Sequence, residues 1–179
     1  MLTLVLADCM LKTGPQDIEL EDSRPDLIHF SLLLAQNCRL AEEREIRTII
    51  HTRENKVFRF EADAKIPDRL KDFKRLIIGI VQGYKAKNIS FNEQTLAEAL
   101  KDEVGKKIAM SPKGTKKDPS KVFSRTKDYI VIIGGFPSGD FVSPVYEWAD
   151  EIVSISDRMM KPWTVVAETL SGYRYSSLK

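Results

Sequence analysis

Two stretches of this chain are apolar without alternation, and they frame the rest. Leu2 to Ala7 (L-T-L-V-L-A) and Tyr129 to Ile133 (Y-I-V-I-I) are short and bounded by polar residues or glycine, the pattern of strands covered on both faces. Other segments repeat every three to four positions. Ser23-Arg24-Pro25-Asp26 followed by L-I-H-F-S-L-L-L-A predicts a helix over Pro25–Gln36, with Ser23 as cap, Pro25 in the first turn and Asp26 at the positive end. Lys65-Ile66-Pro67 leads into a second helix reaching about Tyr84, with Leu70, Phe73, Leu76, Ile77, Ile80 and Val81 on one face. Ser90–Lys101 reads as a third, capped near Asn92, with Leu96, Ala99 and Leu100 inward. Lys161-Pro162-Trp163 opens a last helix carrying Val166, Leu170 and Tyr173 on one side.

Between the helices, Glu45–Thr52 and Lys56–Ala62 read as strands joined by a turn at Arg53-Glu54-Asn55. Lys12–Glu21 is a connection, Lys106–Met110 a short strand, Pro144–Asp150 a helical turn and Ile152–Ile155 a last strand. Ser111–Ser124 has no regular pattern and is long for a loop in a compact domain, which points to function. The order of elements is that of an α/β fold, one domain over 1–179 with 44–66 as an inserted β-hairpin excursion.

With 42% hydrophobic and 30% charged residues, and no apolar run near the roughly 20 residues of a membrane helix, the chain reads as soluble. Residues 1–10 lack a basic start and cleavage site, so a cytoplasmic location is expected and no membrane partner. Cys9 and Cys38 have neither disulfide nor zinc spacing, and both are expected to be reduced; no metal is expected. The net charge of +2 conceals an asymmetry: Met1–Ala35 holds two basic and six acidic residues, whereas Lys106–Lys127 holds eight basic residues and the single acid Asp118. That second segment suits phosphate, or serves as a solvated lysine-rich loop.

The candidate chemistry starts where Tyr129–Ile133 runs into Gly134-Gly135-Phe136-Pro137-Ser138-Gly139. Glycines at the carboxyl end of a buried strand let main-chain groups approach a ligand. Neither G-x-G-x-x-G nor the phosphate-cradling G-x-x-x-x-G-K-[ST] is present, which argues against a dinucleotide or nucleoside triphosphate. Arg24 stands out because a cation beside a helix N-terminus opposes the macrodipole; it needs a ligand anion or a nearby carboxylate. His29 and His51 read as satisfied core histidines.

Three separated segments together carry a resemblance. Arg24 to Leu33 (R-P-D-L-I-H-F-S-L-L) is similar to an R-P-D-I-x-H-x-S-L-L signature. Ile50 to Asn55, continuing to Lys65-Ile66-Pro67, is similar to I-H-T-x-x-N and R-I-P elements. Val131 to Phe136 and Val153 to Ser156 are similar to V-V-G-A-F-x-x-G and V-S-I-S blocks. On these blocks the chain resembles the SPOUT-class methyltransferases that methylate N1 of a pseudouridine in small-subunit ribosomal RNA, over nearly its whole length.

The resemblance implies a SPOUT methyltransferase fold with a C-terminal deep trefoil knot, S-adenosylmethionine (S-adenosyl-L-methionine) held in the knot loops, and a homodimer on the knot helices. Carried over, the cofactor loops hold Met110, Gly134, Gly135, Gly139, Ser154, Ile155, Met160 and Thr164. Arg24 faces the base or its phosphate, and Asp26 either assists proton removal or holds Arg24. Arg24, Arg53, Lys65, Arg69 and Lys113 grip a pseudouridine-containing ribosomal RNA hairpin. The family's R-I-P-R-x-x-x-R run reads here Lys65-Ile66-Pro67-Asp68 with Asp72 at the last position, so the charge register on that helix is altered. A related SPOUT enzyme acting on transfer RNA, and a non-catalytic ribosome-assembly factor, remain as other readings.

Overall fold

Both apolar stretches become central strands. In the computed structural model, which describes residues 1–14 and 23–176, β1 (Leu2–Cys9) lies between β2 (Ile46–Thr52) and β6 (Tyr129–Gly134) and is parallel to both. With β3 (Lys56–Phe60), β4 (Ile89–Glu93), β5 (Lys106–Lys116) and β7 (Glu151–Ser154), the sheet order is β4-β3-β2-β1-β6-β5-β7. The run β2-β1-β6-β5-β7 is parallel, and β3 and β4 join antiparallel beyond β2. The Lys12–Glu21 connection lies mostly outside the described residues.

Alternate residues of each strand serve opposite faces. Leu4, Leu6, Ile50, Phe58 and Val131 point to one core, covered by α1 (Pro25–Gln36), α3 (Leu70–Val81) and α6 (Pro162–Tyr175). Val5, Ala7, Ile49, Val57, Ile130 and Ile132 point to the other, covered by α4 (Leu96–Leu100) and α5 (Val145–Trp148). Burial on both faces is why β1 and β6 lack the alternation of a half-exposed strand. A four-residue helix α2 (Arg39–Glu42) follows α1.

The structure departs from the sequence reading in four places. Ile89–Glu93 is a strand, not the start of a helix: Asn92 pairs with Val57, and helix α4 begins only at Leu96. Its cap is Thr95, which forms a reciprocal capping box with Glu98. The alternating I-S-F-N-E segment completes the antiparallel flank because β3 offers it a free edge. Ser23 does not cap α1; its Oγ accepts the Lys12 N–H at 3.1 Å, and Arg24 takes the cap position without a side-chain bond. The expected loop after Met110 instead continues as strand to Lys116. There Met110 and Thr115 both register with Val153, so Ser111–Gly114 bulge outward between two crossings of β7.

His29 and His51 are both buried with partners. His29 Nε2 lies 2.6 Å from the Pro67 carbonyl, with the ring stacked on Phe73. Cys9 and Cys38 are free thiols.

Candidate active site

The parallel strands deliver three loops to one place. The Ser111–Gly114 bulge of β5, the segment after β6 and the segment after β7 surround one cleft that opens to solvent. Gly114 makes the tight return of β5 possible: a Cβ there would lie 2.5 Å from the Ile152 carbonyl carbon. Gly134 lies flat under the Phe136 ring, which occupies the space a side chain would need.

Six of the eight residues expected at a cofactor line this cleft: Met110, Gly134, Gly139, Ser154, Ile155 and Met160. Gly135 and Thr164 do not. Gly135 packs against Cys9, donating its N–H to the Ala7 carbonyl at 2.8 Å and accepting from Met10 at 3.2 Å, so its missing side chain serves strand packing. Thr164 sits in the first turn of α6, its N–H on the Lys161 carbonyl, one residue before the cleft-lining Val165.

The cleft walls are apolar, with Ile133, Phe141, Val153, Met159 and Val165, and the lining residues described include one cation, Arg158, and one anion, Asp140. Ser154 Oγ donates to the Ser156 carbonyl at 2.6 Å, shaping the third loop. Apolar walls with main-chain polar groups fit an adenosine and a sulfonium better than a polyphosphate, which calls for cations. The site therefore fits S-adenosylmethionine.

One polar chain at the rim was not anticipated from sequence. Ser111 Oγ lies 2.8 Å from Tyr146 Oη, Tyr146 donates to Asp140 at 2.5 Å, and Asp140 pairs with Lys113 at 2.5 Å. Burial alone would raise the Asp140 pKa, but the Lys113 and Tyr146 hydrogen bonds reverse that and hold it below its ordinary value. Burial and the Asp140 bond push the Tyr146 hydroxyl up. An acid directly after a glycine loop was the available signal.

Arg24 and Asp26 form a bidentate pair, Nε to Oδ1 at 2.9 Å and Nη2 to Oδ2 at 2.7 Å. The Arg24 N–H is fixed on the Met10 carbonyl at the end of β1, at 2.6 Å. The Arg24 hydrogen bond lowers the Asp26 pKa, which makes Asp26 a weaker base. Arg53 lies over the Phe136 ring, 5.8 Å from its centroid, beside a second concavity formed with Cys9, Met10, Leu11, Lys12 and Glu54. Phe136 thus stands between the cleft and Arg53. Lys65 and Arg69 are exposed at and before the N-terminus of α3, and Lys113 is committed to Asp140.

Known proteins share this fold. The EMG1/NEP1 methyltransferase family model matches residues 4–174, and the chain belongs to that family. A relative named ribosomal RNA small subunit methyltransferase Nep1, from Methanothrix thermoacetophila, is 31% identical over 160 residues, covering 84% of this chain and 69% of its own length. The protein of the same name from Pyrococcus furiosus is 28% identical over 177 residues, covering 90% and 76%. Archaeoglobus fulgidus Nep1, solved bound to S-adenosylhomocysteine, superposes with a TM-score of 0.80 at 19% identity, covering 97% of each chain. It shares the α/β fold and the mixed sheet.

Proposed function

We propose that this chain transfers the methyl group of S-adenosylmethionine to N1 of a pseudouridine in small-subunit ribosomal RNA, as a step in building that subunit in the cytoplasm. The observation that carries the reading is the cleft, where three loops from adjacent parallel strands bring apolar side chains and two glycines around one site. Met110, Gly134, Gly139, Ser154, Ile155 and Met160 would hold the cofactor. Bound there, it supplies an electrophilic methyl group on a sulfonium, which needs no nucleophile from the protein.

The remaining work falls to residues that orient the base. Pseudouridine has an N1–H that uridine lacks, and loss of that proton leaves negative charge on the ring. Arg24, held by Asp26 and by its main-chain bond to Met10, would stabilise that charge or the adjoining phosphate. Asp26 acts by holding Arg24, since its lowered pKa suits a permanent anion. Arg53, Lys65 and Arg69 contact the RNA backbone. Lys113 reaches RNA only by leaving Asp140.

The packing of α6 on the segment that follows β5, where only a glycine at 172 lets the helix approach the Pro119 main chain, supports the trefoil knot expected in this half. The exposed Phe30 and Leu34 of α1, which with Leu33 and Trp163 of α6 form an apolar concavity, support a homodimer across that face.

The test is incubation with methyl-labelled cofactor and two RNA hairpins, identical except for uridine or pseudouridine at one loop position. Transfer to the second alone is expected. Equal transfer to both, or preference for transfer RNA, refutes the substrate assignment. Failure to bind S-adenosylhomocysteine by calorimetry leaves an assembly factor without catalysis.

A further inference from the structure

Asp8 is an anomaly that the site above does not use. It ends β1 between β2 and β6, is 1% exposed, and takes a φ of +53° in the left-handed region that favours glycine. The β1–β2 register breaks across it, between Leu6 and Cys9. A buried carboxylate on a strained backbone costs stability that a glycine would avoid, so its side chain must recover that cost in contacts.

Those contacts all reach out of the strand. Oδ2 accepts the main-chain N–H groups of Val142 at 2.8 Å and Ser143 at 2.9 Å, and Oδ1 accepts the Ser143 hydroxyl at 2.6 Å. Val142 is held by its backbone alone, since its side chain is 71% exposed. The preceding residues, Gly139, Asp140 and Phe141, form one lip of the cleft. Phe141 continues that lip into an edge-to-face contact with Phe136, at 5.7 Å between centroids. On the other side His51 Nδ1 lies 3.5 Å from Asp8 Oδ1, and His51 Nε2 lies 3.2 Å from the Asn55 side-chain oxygen. Asn55 belongs to the β2–β3 turn that carries Arg53 over the opposite side of Phe136.

We propose that Asp8 is a positioning residue for methyl transfer, fixing the Gly139–Phe141 lip of the cofactor cleft relative to the turn that carries Arg53. The role rests on the reading of the cleft as the cofactor site and of Arg53 as a contact to the RNA. Asp8 touches neither ligand. It holds two walls at one spacing, and a misplacement near 1 Å between reacting groups is enough to slow transfer about 100-fold.

The experiment compares the parent chain with Asp8→Gly, Asp8→Asn and Ser143→Ala. Glycine accepts the φ of +53° without strain, so the first variant keeps the strand and the main-chain N–H on His51 Nδ1 at 3.4 Å while removing every side-chain anchor. Asp8→Gly should bind S-adenosylhomocysteine roughly 10-fold more weakly and lose about 10-fold or more in kcat on a pseudouridine hairpin at saturating cofactor and RNA. Asp8→Asn, which keeps an oxygen for the two N–H donors, should recover most of that kcat. A structural role alone would lower the melting temperature and leave kcat of the folded enzyme unchanged. Should Asp8→Gly not fold, Ser143→Ala carries the test, with a several-fold loss of S-adenosylhomocysteine affinity expected. Folded Asp8→Gly and Ser143→Ala with affinity and kcat within two-fold of the parent overturn the proposal. A parent chain that does not bind S-adenosylhomocysteine overturns the cofactor reading, and the proposal with it.

Discussion

The two halves of the sheet solve the recognition problem in opposite ways. On the β6-β5-β7 side the ligand surface is made of backbone and apolar side chains, held so tightly that a Cβ at 114 would collide with the Ile152 main chain. On the β2-β3-β4 side the candidate contacts are long cationic side chains, Arg53, Lys65 and Arg69, on a turn and a helix start. A small cofactor needs a fixed shape, whereas an RNA backbone is met by charge that can adjust. Arg24 stands at the junction, fixed by its main chain to β1 and by its guanidinium to Asp26.

The largest effect should come from that junction. Arg24→Ala is expected to lower kcat about 100- to 1,000-fold, the range for losing one preorganised donor to a developing anion, with S-adenosylhomocysteine affinity unchanged. Single-turnover transfer and calorimetry on the same preparation separate the two, and near-parent turnover would remove Arg24 from the mechanism. Next is Gly114→Ala. Its Cβ would meet the Ile152 main chain rather than a flexible side chain, so overpacking should cost about 1–3 kcal/mol and weaken cofactor binding. RNA retention on a filter should fall less than cofactor affinity, because Arg24, Arg53, Lys65 and Arg69 lie outside the β5 extension that Gly114 shapes. A variant that binds cofactor normally would mean that β5 has room to move.

This contrast also decided what could be read from sequence. The helices α1, α3 and α6 follow from 3.6-residue periodicity, and β1 and β6 from unbroken apolar runs. Six of the residues that the family resemblance pointed to line one cleft, because the glycine loop, the V-S-I-S strand and the end of β5 all reach the carboxyl side of the sheet. The β5 extension was not, since its polar, exposed residues are held by the main chain of β7, and no side-chain pattern records that. β4 was hidden for a related reason: five residues before a well-capped helix read as part of it unless the free edge of β3 is known. Asp8 carried no local mark, because its partners on the cleft lip, Val142 and Ser143, lie more than 130 positions away.

Acid should then expose the strut between the two halves. Burial would raise the Asp8 pKa, but the bonds from His51, Ser143 and Val142 bring it down from 3.8 to about 2. A carboxyl whose folded value lies below its unfolded one adds stability above the unfolded value, and that stability is lost as pH falls from about 4 through 2. The contribution is about 2 kcal/mol. Denaturant unfolding at pH 5 and pH 2.5 should show the parent losing that much more than Asp8→Asn, and equal losses would mean that the carboxylate is not held in this network.

The smallest effect tests the charge-built half alone. Lys65 and Arg69 are exposed, while Asp68 and Asp72 stand on the same helix start, with Asp72 3.3 Å from Arg75. Each phosphate contact to single-stranded RNA contributes roughly 0.7 to the slope of log affinity against log salt. Lys65→Gln and Arg69→Gln should each flatten the slope by about that amount and weaken hairpin binding only a few-fold at moderate salt. Cofactor affinity should stay at the parent value, since neither residue reaches the cleft. Reversing the local sign with Asp68→Arg should steepen the slope instead, because it adds a cation to the same surface. If all three variants leave the slope unchanged, RNA does not cross the start of α3, and its contacts are confined to Arg24, Arg53 and the lysine-rich β5 extension.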